Sequence, residues 1–461
     1  MNSAFSIEDT IAAIATANAP GGIGIVRVSG PGSFEIAKKI FRPKRGLNWD
    51  DITGYKMVYG EVMGIDEAIC LLFRGPGSYT GEDVAELQCH GGPLLLRQVL
   101  QAALDAGARM AGPGEFTRRA VLNGRIGITQ AEAVMRLITA QSDQALRAAH
   151  AAMGGALSAR IAGVRDGLIA LAAHISAWVD YPEEDIDPLG DCEAEDVLKE
   201  AEEALRGLIE GSKGAQAVLE GVSAALVGRP NAGKSSLLNR LMGYERAIVT
   251  AMPGTTRDTV TETVQLGNLT LRLTDTAGMR NTEHPVEKAG VERSVAAMRG
   301  ADLVLVVVDA NEGMLEEDRA LLAGCDQERT IVVYNKIDLV AAPFTTPACG
   351  HPSTEGNWCA VHTSAVTGEG VDALAHAAEG ICRTAGFVPG EATLATQRQA
   401  QCAVDALEAV REGLFALENG LAPDAVSVCL EDAVQALFSL TGERASDAVV
   451  EEVFRGFCVG K

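Results

Sequence analysis

The sequence predicts a multidomain chain of α/β and α structure, with a doubly wound α/β domain inserted into a helical domain. Its 461 residues are enough for roughly two to four domains. Strand and helix signals alternate between residues 222 and 380, as is typical of a doubly wound sheet. Helical periodicity lies on both sides, from about residue 130 to residue 220 and again after residue 390.

The predicted boundaries divide the chain into four parts. Residues 1–120 mix short apolar strands with one helix and form an α+β domain. Residues 121–220 and 383–461 are two parts of one helical domain, and residues 221–382 are the insertion. Three consecutive domains remain the alternative, because periodicity cannot show which distant helices pack together.

Charge and composition restrict the classes of function. The formal net charge of −23 disfavours unaided binding to a nucleic-acid backbone. Residues 1–125 carry 13 acidic and 13 basic side chains, whereas residues 180–220 carry 14 acidic and 3 basic ones. The N-terminus lacks the basic start of a signal peptide, and the most apolar run, residues 301–310, is about half as long as a membrane span. Ten cysteines without a CxxC pair predict a reduced, cytoplasmic compartment.

The most specific motif is GRPNAGKS, residues 228–235, which lies between an apolar strand and an amphipathic helix. Its glycines let backbone N–H groups surround phosphate oxygens, and the helix N-terminus adds the positive end of a dipole. We expect Lys234 to reach the β- and γ-phosphates of a nucleotide and Ser235 to ligate Mg²⁺. The nucleotide-binding residues expected here are Asn231, Ala232, Gly233, Lys234, Ser235 and Ser236.

Four further motifs follow in the order expected of a GTP-binding domain: GTTRD, DTAG, NKID and TSA. A carboxylate such as Asp338 accepts hydrogen bonds from both N1–H and the 2-amino group of guanine, whereas adenine would leave it unpaired. The sequence therefore predicts GTP. The binding residues expected in these motifs are Thr255, Thr256, Asp275, Thr276, Ala277, Gly278, Asn335, Lys336, Asp338, Ser364 and Ala365.

The residue after DTAG raises a question about hydrolysis. Ras-like GTPases have a Gln there, which orients the attacking water. This chain has Met279, whose thioether neither donates a strong hydrogen bond nor takes a proton. Hydrolysis would therefore need another group.

The motifs, together with APGGIGIVRVSG, SYTGEDVAELQCHGG, GEFTRRAVLNGRIGITQAEAV and the C-terminal FCVGK, resemble the MnmE (TrmE) family of tRNA-modification GTPases, a TrmE/Era-like P-loop family. The resemblance implies a tetrahydrofolate-binding and dimerisation domain, a helical domain and an inserted Ras-like doubly wound P-loop GTPase domain. It also implies a K⁺-dependent, homodimeric GTPase. With the FAD-containing partner MnmG (GidA) in a heterotetramer, this enzyme adds an aminomethyl or carboxymethylaminomethyl group at C5 of the wobble uridine of certain tRNAs. The one-carbon unit comes from 5-formyl- or methylene-tetrahydrofolate.

The resemblance also implies roles for particular residues. Ser235 and Thr256 would bind Mg²⁺, and Glu287 would orient the attacking water through a second water. Without the resemblance, Glu287 reads as a solvated carboxylate on a helix. The implied K⁺ ligands are Asn231, Thr250, Met252 and Thr255, within a GTP-binding loop that also contains Ala251, Pro253 and Gly254.

The resemblance also implies a folate site formed by Arg27, Glu86, Arg125 and Lys461. The three cations would bind the glutamyl carboxylates of the folate, and the carboxylate of Glu86 would bind the amino-pyrimidine edge of its pterin. Gly127 replaces an Asp of the family pattern. Cys458 would act on the substrate uridine or in redox steps, and a buried inert thiol is the alternative. An Era-like RNA-binding GTPase switch in ribosome assembly is the alternative for the whole chain, but it would need a basic RNA-binding module.

One further cluster has metal-capable residue types between the NKID and TSA motifs. Cys349, His351, Cys359 and His362 are too loosely spaced for a typical zinc site. The sequence favours an ordinary surface insertion here.

Overall fold

The computed structural model describes residues 9–49, 51–180, 191–244, 262–273, 298, 300–340, 358–382, 384, 387–388, 390–443, 450, 453–454, 457 and 459–460. The chain divides into two compact units, residues 1–135 with 441–461, and residues 136–440. The predicted multidomain α/β and α fold class is confirmed. None of the helices in these described ranges is both long enough and apolar enough to cross a bilayer.

The first unit is built on a seven-stranded sheet with the order β3-β4-β5-β6-β2-β1-β7. Neighbouring strands are antiparallel, except that β7 runs parallel to β1. Burial alternates along β5, as expected for a sheet with one face on a core. The strands are β1 Ile11–Ile14, β2 Gly21–Ser29, β3 Phe41–Pro43, β4 Tyr55–Val62, β5 Asp66–Phe73, β6 Val84–Gly91 and β7 Arg109–Met110.

Two helices, α1 Ser33–Ile40 and α2 Pro93–Asp105, cover one face of this sheet and form its main apolar core. Helix α2 approaches closely because β2 has a glycine, Gly24, beneath Leu96: a Cβ at Gly24 would lie 2.6 Å from a Leu96 methyl group. Two further helices follow in the chain, α3 Glu115–Leu122 and α4 Ile128–Thr139.

The C-terminal residues also belong to the first unit. Phe454 and Phe457 pack with Ile128 in a small apolar core, and Val459 forms an antiparallel bridge with Pro113. This unit therefore includes residues 121–135 and 441–461, which the predicted boundaries assign to the helical domain. Periodicity identified these helices but could not show that their apolar faces pack on the chain's N-terminal part. The four-part division itself stays a prediction.

The helices of the second unit share one core, although about 180 residues separate the two halves of the set in the chain. Residues such as Leu168, Leu205 and Leu437 are fully buried in this core. The segment between α7 and α11 is thus inserted into one helical assembly, as the sequence predicts. The helices are α5 Asp143–Met153, α6 Ala156–Asp180, α7 Asp191–Glu220, α11 Gln397–Glu418 and α12 Pro423–Thr441.

The inserted segment forms a six-stranded sheet with the order β13-β12-β11-β8-β10-β9, in which only β9 is antiparallel to its neighbour. The carboxyl ends of β8, β11, β12 and β13 meet at one edge, where doubly wound sheets bind ligands. The strands are β8 Val222–Val227, β9 Glu262–Leu266, β10 Leu269–Leu273, β11 Leu303–Asp309, β12 Thr330–Asn335 and β13 Cys359–His362. The helices are α8 Lys234–Tyr244, α9 Glu316–Leu322 and α10 Val371–Ile381, with 3₁₀ turns at Gln327–Arg329 and Ile337–Leu339.

Strand β13 corrects one expectation. Cys359 and His362 begin and end this paired strand, so the predicted surface insertion does not extend to them. His362 stacks on Tyr334 at 5.1 Å between ring centroids, and burial lowers its pKa. Within the described ranges, no group of His, Cys, Asp and Glu side chains is arranged to hold a metal ion.

A buried ion network lies in the first unit. Arg119, only 4% exposed, donates to Asp9 and, at 3.0 Å, to Glu82. Arg109 donates to Glu115 at 2.6 Å and to Asp9 at 2.7 Å. Burial alone would raise the pKa of Glu115, but the hydrogen bonds from Arg109 and the Gly112 N–H, with the nearby guanidinium charges, hold this pKa below its usual value.

This network makes the first unit sensitive to acid. A carboxyl whose folded-state pKa is lowered contributes stability above its unfolded pKa of about 4.3, and that stability is lost as the pH falls through the folded pKa. We expect Glu115→Gln to lower the urea midpoint at pH 7 and to reduce the further loss between pH 5 and pH 3. The measurement is urea unfolding followed by Trp49 fluorescence, in a background in which Trp178 and Trp358 are Phe.

The matched control is Glu35→Gln, because Glu35 is exposed and lies 3.9 Å from Lys38. This variant should unfold like the parent at every pH, since exposed ion pairs contribute little stability. Identical acid profiles for Glu115→Gln and the parent would contradict the assignment.

Candidate functional site

The phosphate-binding motif lies at the carboxyl edge of the inserted sheet, directly after β8. Three of its residues have positive φ: Gly228 at 147°, Asn231 at 64° and Gly233 at 95°. A Cβ at Gly228 would lie 2.3 Å from the Val307 carbonyl oxygen, and one at Gly233 would lie 2.2 Å from Asn335 Nδ2. Both glycines are thus required by the fold of the loop, and helix α8 begins at Lys234 immediately after it.

The Lys234 ammonium points into its own loop. Its Nζ donates to the carbonyl oxygens of Gly228 and Arg229, both at 2.7 Å, and burial lowers its pKa. Neutral carbonyl groups offset only part of the cost of burying a charge, so an anion beside this loop would stabilise the ammonium. The Lys234 and Ser235 positions, at the N-terminus of α8, fit the phosphates of a nucleotide.

Asn335, the first residue of the NKID motif, connects this loop to the base-binding motifs. It is fully buried. Its Nδ2 donates to the Ala232 carbonyl at 3.3 Å, and its Oδ1 accepts from the Ala365 N–H at 3.0 Å. One side chain therefore sets the spacing between the phosphate-binding and base-binding loops.

The other base-binding residues lie beside it. Ser364 is fully buried and donates from Oγ to Asp338 Oδ1 at 2.5 Å, which fixes one carboxylate oxygen. Lys336 has a left-handed backbone with φ of 68°. Its Nζ lies 2.7 Å from Asp309 Oδ2, and its Cε lies near the position that a Cβ of Gly233 would occupy. The structure thus brings the P-loop, NKID and TSA residues together at one edge of the sheet.

Two charged residues in this region were not among the predicted site residues. Asp309 ends β11 and binds Lys336; its pKa, which burial alone would raise, is lowered by this contact and by the Asn311 N–H. Arg229 donates from Nε to the fully buried Asp318 at 2.9 Å and from Nη1 to Glu312 at 3.0 Å. A charge at the end of a fully apolar strand was a usable signal for Asp309.

Part of the predicted site lies outside the described residues. This holds for every predicted GTP-binding or cation-binding residue of the GTTRD and DTAG region and for the predicted water-orienting glutamate. These residues are Thr250, Ala251, Met252, Pro253, Gly254, Thr255, Thr256, Asp275, Thr276, Ala277, Gly278 and Glu287. Cys458 and Lys461 lie outside the described residues as well.

The predicted folate-binding residues Arg27 and Glu86 face each other in the first unit. They are register partners on β2 and β6, and Arg27 Nε donates to Glu86 Oε1 at 2.7 Å. The guanidinium lies 5.8 Å from the ring centroid of Tyr79 and 5.5 Å from that of Phe116. The pair, with its aromatic neighbours, offers a cation and a carboxylate on one wall.

Arg125, the third predicted residue, lies against the turn that follows Tyr79. A Cβ built on Gly81 would be 3.2 Å from Arg125 Cγ, so the glycine, with φ of 80°, makes room for the arginine. Gly127 donates its N–H to Gln130 Oε1 at 2.8 Å, and a Cβ there would meet no atom closer than 3.8 Å. Space therefore does not explain the loss of the Asp side chain at position 127.

The C-terminal residues reach the same part of the unit. A Cβ at Gly460 would lie 2.3 Å from the carbonyl oxygen of Ile14, whose register partner on β2 is Val26, the residue before Arg27. Val459 bridges Pro113, and Phe457 packs at Gly114. Gly460 thus lies against β1, the strand that pairs with the one carrying Arg27.

Comparison with known proteins agrees with this organisation. A family model described as the MnmE helical domain matches residues 128–458, and one described as the GTP-binding protein TrmE N-terminus matches residues 10–125. A tRNA modification GTPase MnmE from Symbiobacterium thermophilum is 46% identical over 471 residues, covering 98% of this chain and 100% of the relative. A protein of the same name from Roseiflexus sp. is 42% identical, and the match covers 98% of this chain and 99% of the relative. Another from Geobacter sulfurreducens is also 42% identical, and the match covers 99% of this chain and 100% of the relative.

The close contact at Gly233 gives a direct test of the phosphate loop. We expect Gly233→Ala to weaken GDP binding at least about tenfold, because the new methyl group would clash with Asn335 and a φ of 95° strains alanine. The measurement is displacement of a fluorescent GDP analogue.

Gly243→Ala is the control. Gly243 lies on α8, the helix that follows the phosphate loop, and a Cβ there would meet nothing within 4 Å. This variant should keep GDP affinity and gain up to about 1 kcal/mol of stability. Equal GDP affinity of the two variants would show that the loop tolerates the methyl group, contrary to the geometry.

Proposed function

The chain belongs to the MnmE family of tRNA modification GTPases, and we propose that it uses GTP hydrolysis to modify C5 of the wobble uridine of certain tRNAs. The added group is an aminomethyl or carboxymethylaminomethyl group, and a tetrahydrofolate derivative supplies its one-carbon unit. The observation that carries the proposal is that each unit brings together one set of predicted ligand-binding residues. Lys234, Asn335 and Asp338 form the first set, and Arg27 and Glu86 the second.

The first set supports binding of GTP with Mg²⁺. Lys234 would bind the β- and γ-phosphates, and Ser235, with Thr256, would hold Mg²⁺. Asp338, whose Oδ1 is fixed by Ser364, has its other oxygen for the N1–H and 2-amino edge of guanine. Paired recognition of this kind rejects adenine, because adenine has neither an N1–H nor a 2-amino group to donate to the carboxylate.

A potassium ion answers the question raised by Met279. Asn231, Thr250, Met252 and Thr255 would hold this ion, and it would supply fixed positive charge against the charge that develops on the leaving phosphate. Asn231 supports this role, because it is exposed on the P-loop and has a left-handed backbone. Glu287 would orient the attacking water through a second water.

The second set supports a folate site. Arg27 and Arg125 would bind the glutamyl carboxylates, and Glu86 would accept from the amino-pyrimidine edge of the pterin. The Arg27–Glu86 pair keeps each charge compensated before the ligand binds. Cys458 and Lys461 belong to the C-terminal segment of the chain. The described residues of this segment, 457 and 459–460, lie against residues 113–114 and β1 of the first unit. Cys458 would then act on the uridine ring or in a redox step.

The proposal includes two assemblies. The chain forms a homodimer, and it forms a heterotetramer with the FAD-containing partner MnmG (GidA). Exposed apolar residues on alternate positions of β4, namely Tyr55, Met57 and Tyr59, support a protein contact on the first unit. The net charge of −23 supports a division of labour in which the partner supplies much of the tRNA-binding surface. Movement of the GTP-binding domains would be coupled to modification through the helices.

Turnover in different salts tests the cation proposal. GTP hydrolysis should be at least about tenfold faster in K⁺ than in Na⁺ at matched ionic strength, and its specific rate should rise with protein concentration. The measurement is phosphate release from the wild-type chain over a range of concentrations. Glu287→Ala should hydrolyse slowly in both salts and keep its GDP affinity. Equal wild-type rates in both salts would remove K⁺ from the mechanism.

Cys458→Ser tests the assignment of chemistry at the chain end. With partner protein, tRNA, folate and GTP present, the variant should lose tRNA modification while its GTP hydrolysis stays within about twofold of wild type, because a serine hydroxyl is a far weaker nucleophile than a thiolate. Cys429→Ser is the control, since Cys429 lies on α12 of the other unit. Full modification by Cys458→Ser would exclude a chemical role for the thiol.

A further inference from the structure

Arg240 connects the phosphate-binding helix to the TSA loop. It lies on α8, six residues after Lys234. Its Nε donates to the Ala365 carbonyl at 2.8 Å, and its Nη2 donates to the Val366 carbonyl. Its Cζ also lies 3.9 Å from the position that a Cβ of Gly368 would occupy, so the guanidinium fits beneath the loop where glycine leaves room. Arg240 is therefore the point where α8 holds this loop.

The loop has its own internal bonds, but they leave these two carbonyls to Arg240. Ser364 accepts from Gly368 N–H through its carbonyl at 2.8 Å and from Thr367 N–H through its hydroxyl at 3.1 Å. These contacts close the turn around Ser364. The bond from the Thr367 N–H also holds the peptide between Val366 and Thr367, but neither bond holds the peptide between Ala365 and Val366. Val366 is 71% exposed. Among the described residues, Arg240 is the donor to the carbonyl of that peptide, and it also donates to the Val366 carbonyl.

The orientation of the peptide between Ala365 and Val366 matters for recognition of a base. On the Watson–Crick edge of guanine, N1–H lies between O6 and the 2-amino group. When N1–H and the 2-amino group face Asp338, O6 therefore lies on the side away from the 2-amino group. Ser364 is bonded to Asp338, so the residues that follow it, Ala365 and Val366, would lie beside that O6. Oxygen accepts hydrogen bonds. The Ala365 N–H already donates to Asn335 Oδ1 at 3.0 Å, so of these two residues Val366 has the backbone N–H left for O6. A donor on the Ala365 carbonyl also polarises the peptide whose N–H belongs to Val366.

We propose that Arg240 is a positioning residue for guanine recognition, which holds the peptide between Ala365 and Val366 so that the Val366 N–H faces the O6 atom of the base. The proposal rests on the nucleotide site proposed above. An arginine suits this role because its planar fork presents two donors at fixed spacing to two successive carbonyls. A lysine would keep the charge, but its single ammonium lacks the planar fork that holds both carbonyls at fixed spacing.

The test compares three nucleotides on the full-length chain. GDP has the complete edge; IDP lacks the 2-amino group and reports on Asp338; 6-thio-GDP keeps both donors but replaces O6 with a weakly accepting sulfur. Affinities are measured by displacement of a fluorescent GDP analogue from wild type, Arg240→Ala and Arg240→Lys. Arg329→Ala is the matched control, because Arg329 also donates to a backbone carbonyl, that of Ala301 at 2.8 Å, before the start of β11.

We expect Arg240→Ala to bind GDP about tenfold more weakly, because the variant loses two charged hydrogen bonds that are partly exposed to solvent. Its preference for GDP over 6-thio-GDP should fall towards one, while its preference for GDP over IDP stays as in wild type. Arg240→Lys should lie between the two, and Arg329→Ala should match wild type. A merely structural effect would weaken all three nucleotides equally and leave both ratios unchanged.

Two results would overturn different statements. If wild type prefers GDP over both analogues and Arg240→Ala keeps both preferences, the role of Arg240 is wrong and the nucleotide site stands. If wild type does not distinguish GDP from IDP, the proposed contact of Asp338 is wrong and the inference about Arg240 fails with it. Thermal unfolding of each variant separates loss of fold from loss of recognition, and Arg240→Lys keeps the test valid if the alanine variant is unstable.

Discussion

The nucleotide half of this molecule depends on one buried amide. The side chain of Asn335 is excluded from water and joins the phosphate loop, at the carbonyl of Ala232, to the loop predicted to bind the base, at the N–H of Ala365. A buried amide must have its bonds made, so the two loops cannot separate without leaving polar groups unpaired. The glycine at position 233 follows from the same constraint, because any larger residue would occupy the space of this amide.

Three of the cationic groups that are expected to bind ligands have a partner within the protein. Lys234 donates to two carbonyls of its own loop, Lys336 pairs with Asp309, and Arg27 pairs with Glu86. These contacts lower the cost of holding charge away from water before a ligand arrives. They also mean that a ligand must replace or share them, so part of its interaction energy offsets their loss. The partners differ in charge. Among the described residues the partners of Lys234 are neutral carbonyls, whereas Lys336 and Arg27 pair with carboxylates, so of these three cations Lys234 should gain most from an anionic ligand.

The sequence predicted the nucleotide site better than the other site, and the reason is geometric. The P-loop, NKID and TSA motifs each follow a strand of one parallel sheet. The carboxyl ends of parallel strands lie at one edge of the sheet, so these motifs meet there. Local spacing therefore carries most of the information. The insertion of this domain was also readable, because helical periodicity resumes after it. The contacts of Arg229, Asp309 and Arg240 were not readable, since each depends on which loop lies opposite a side chain.

The site in the first unit follows a different rule. Arg27 and Glu86 come from strands 59 residues apart, and their pairing is set by an antiparallel register that neither strand specifies by itself. Val459 and Gly460 reach this region from the far end of the chain. Such a site forms only after distant segments have met, so its residues were predictable by resemblance and not by spacing. The buried ion network of Asp9, Arg109 and Arg119 has the same long-range character. It orders the segment around Gly112, beside the bridge that Pro113 makes with Val459, and so ties the position of the chain's end to charges that lie far from it in the sequence.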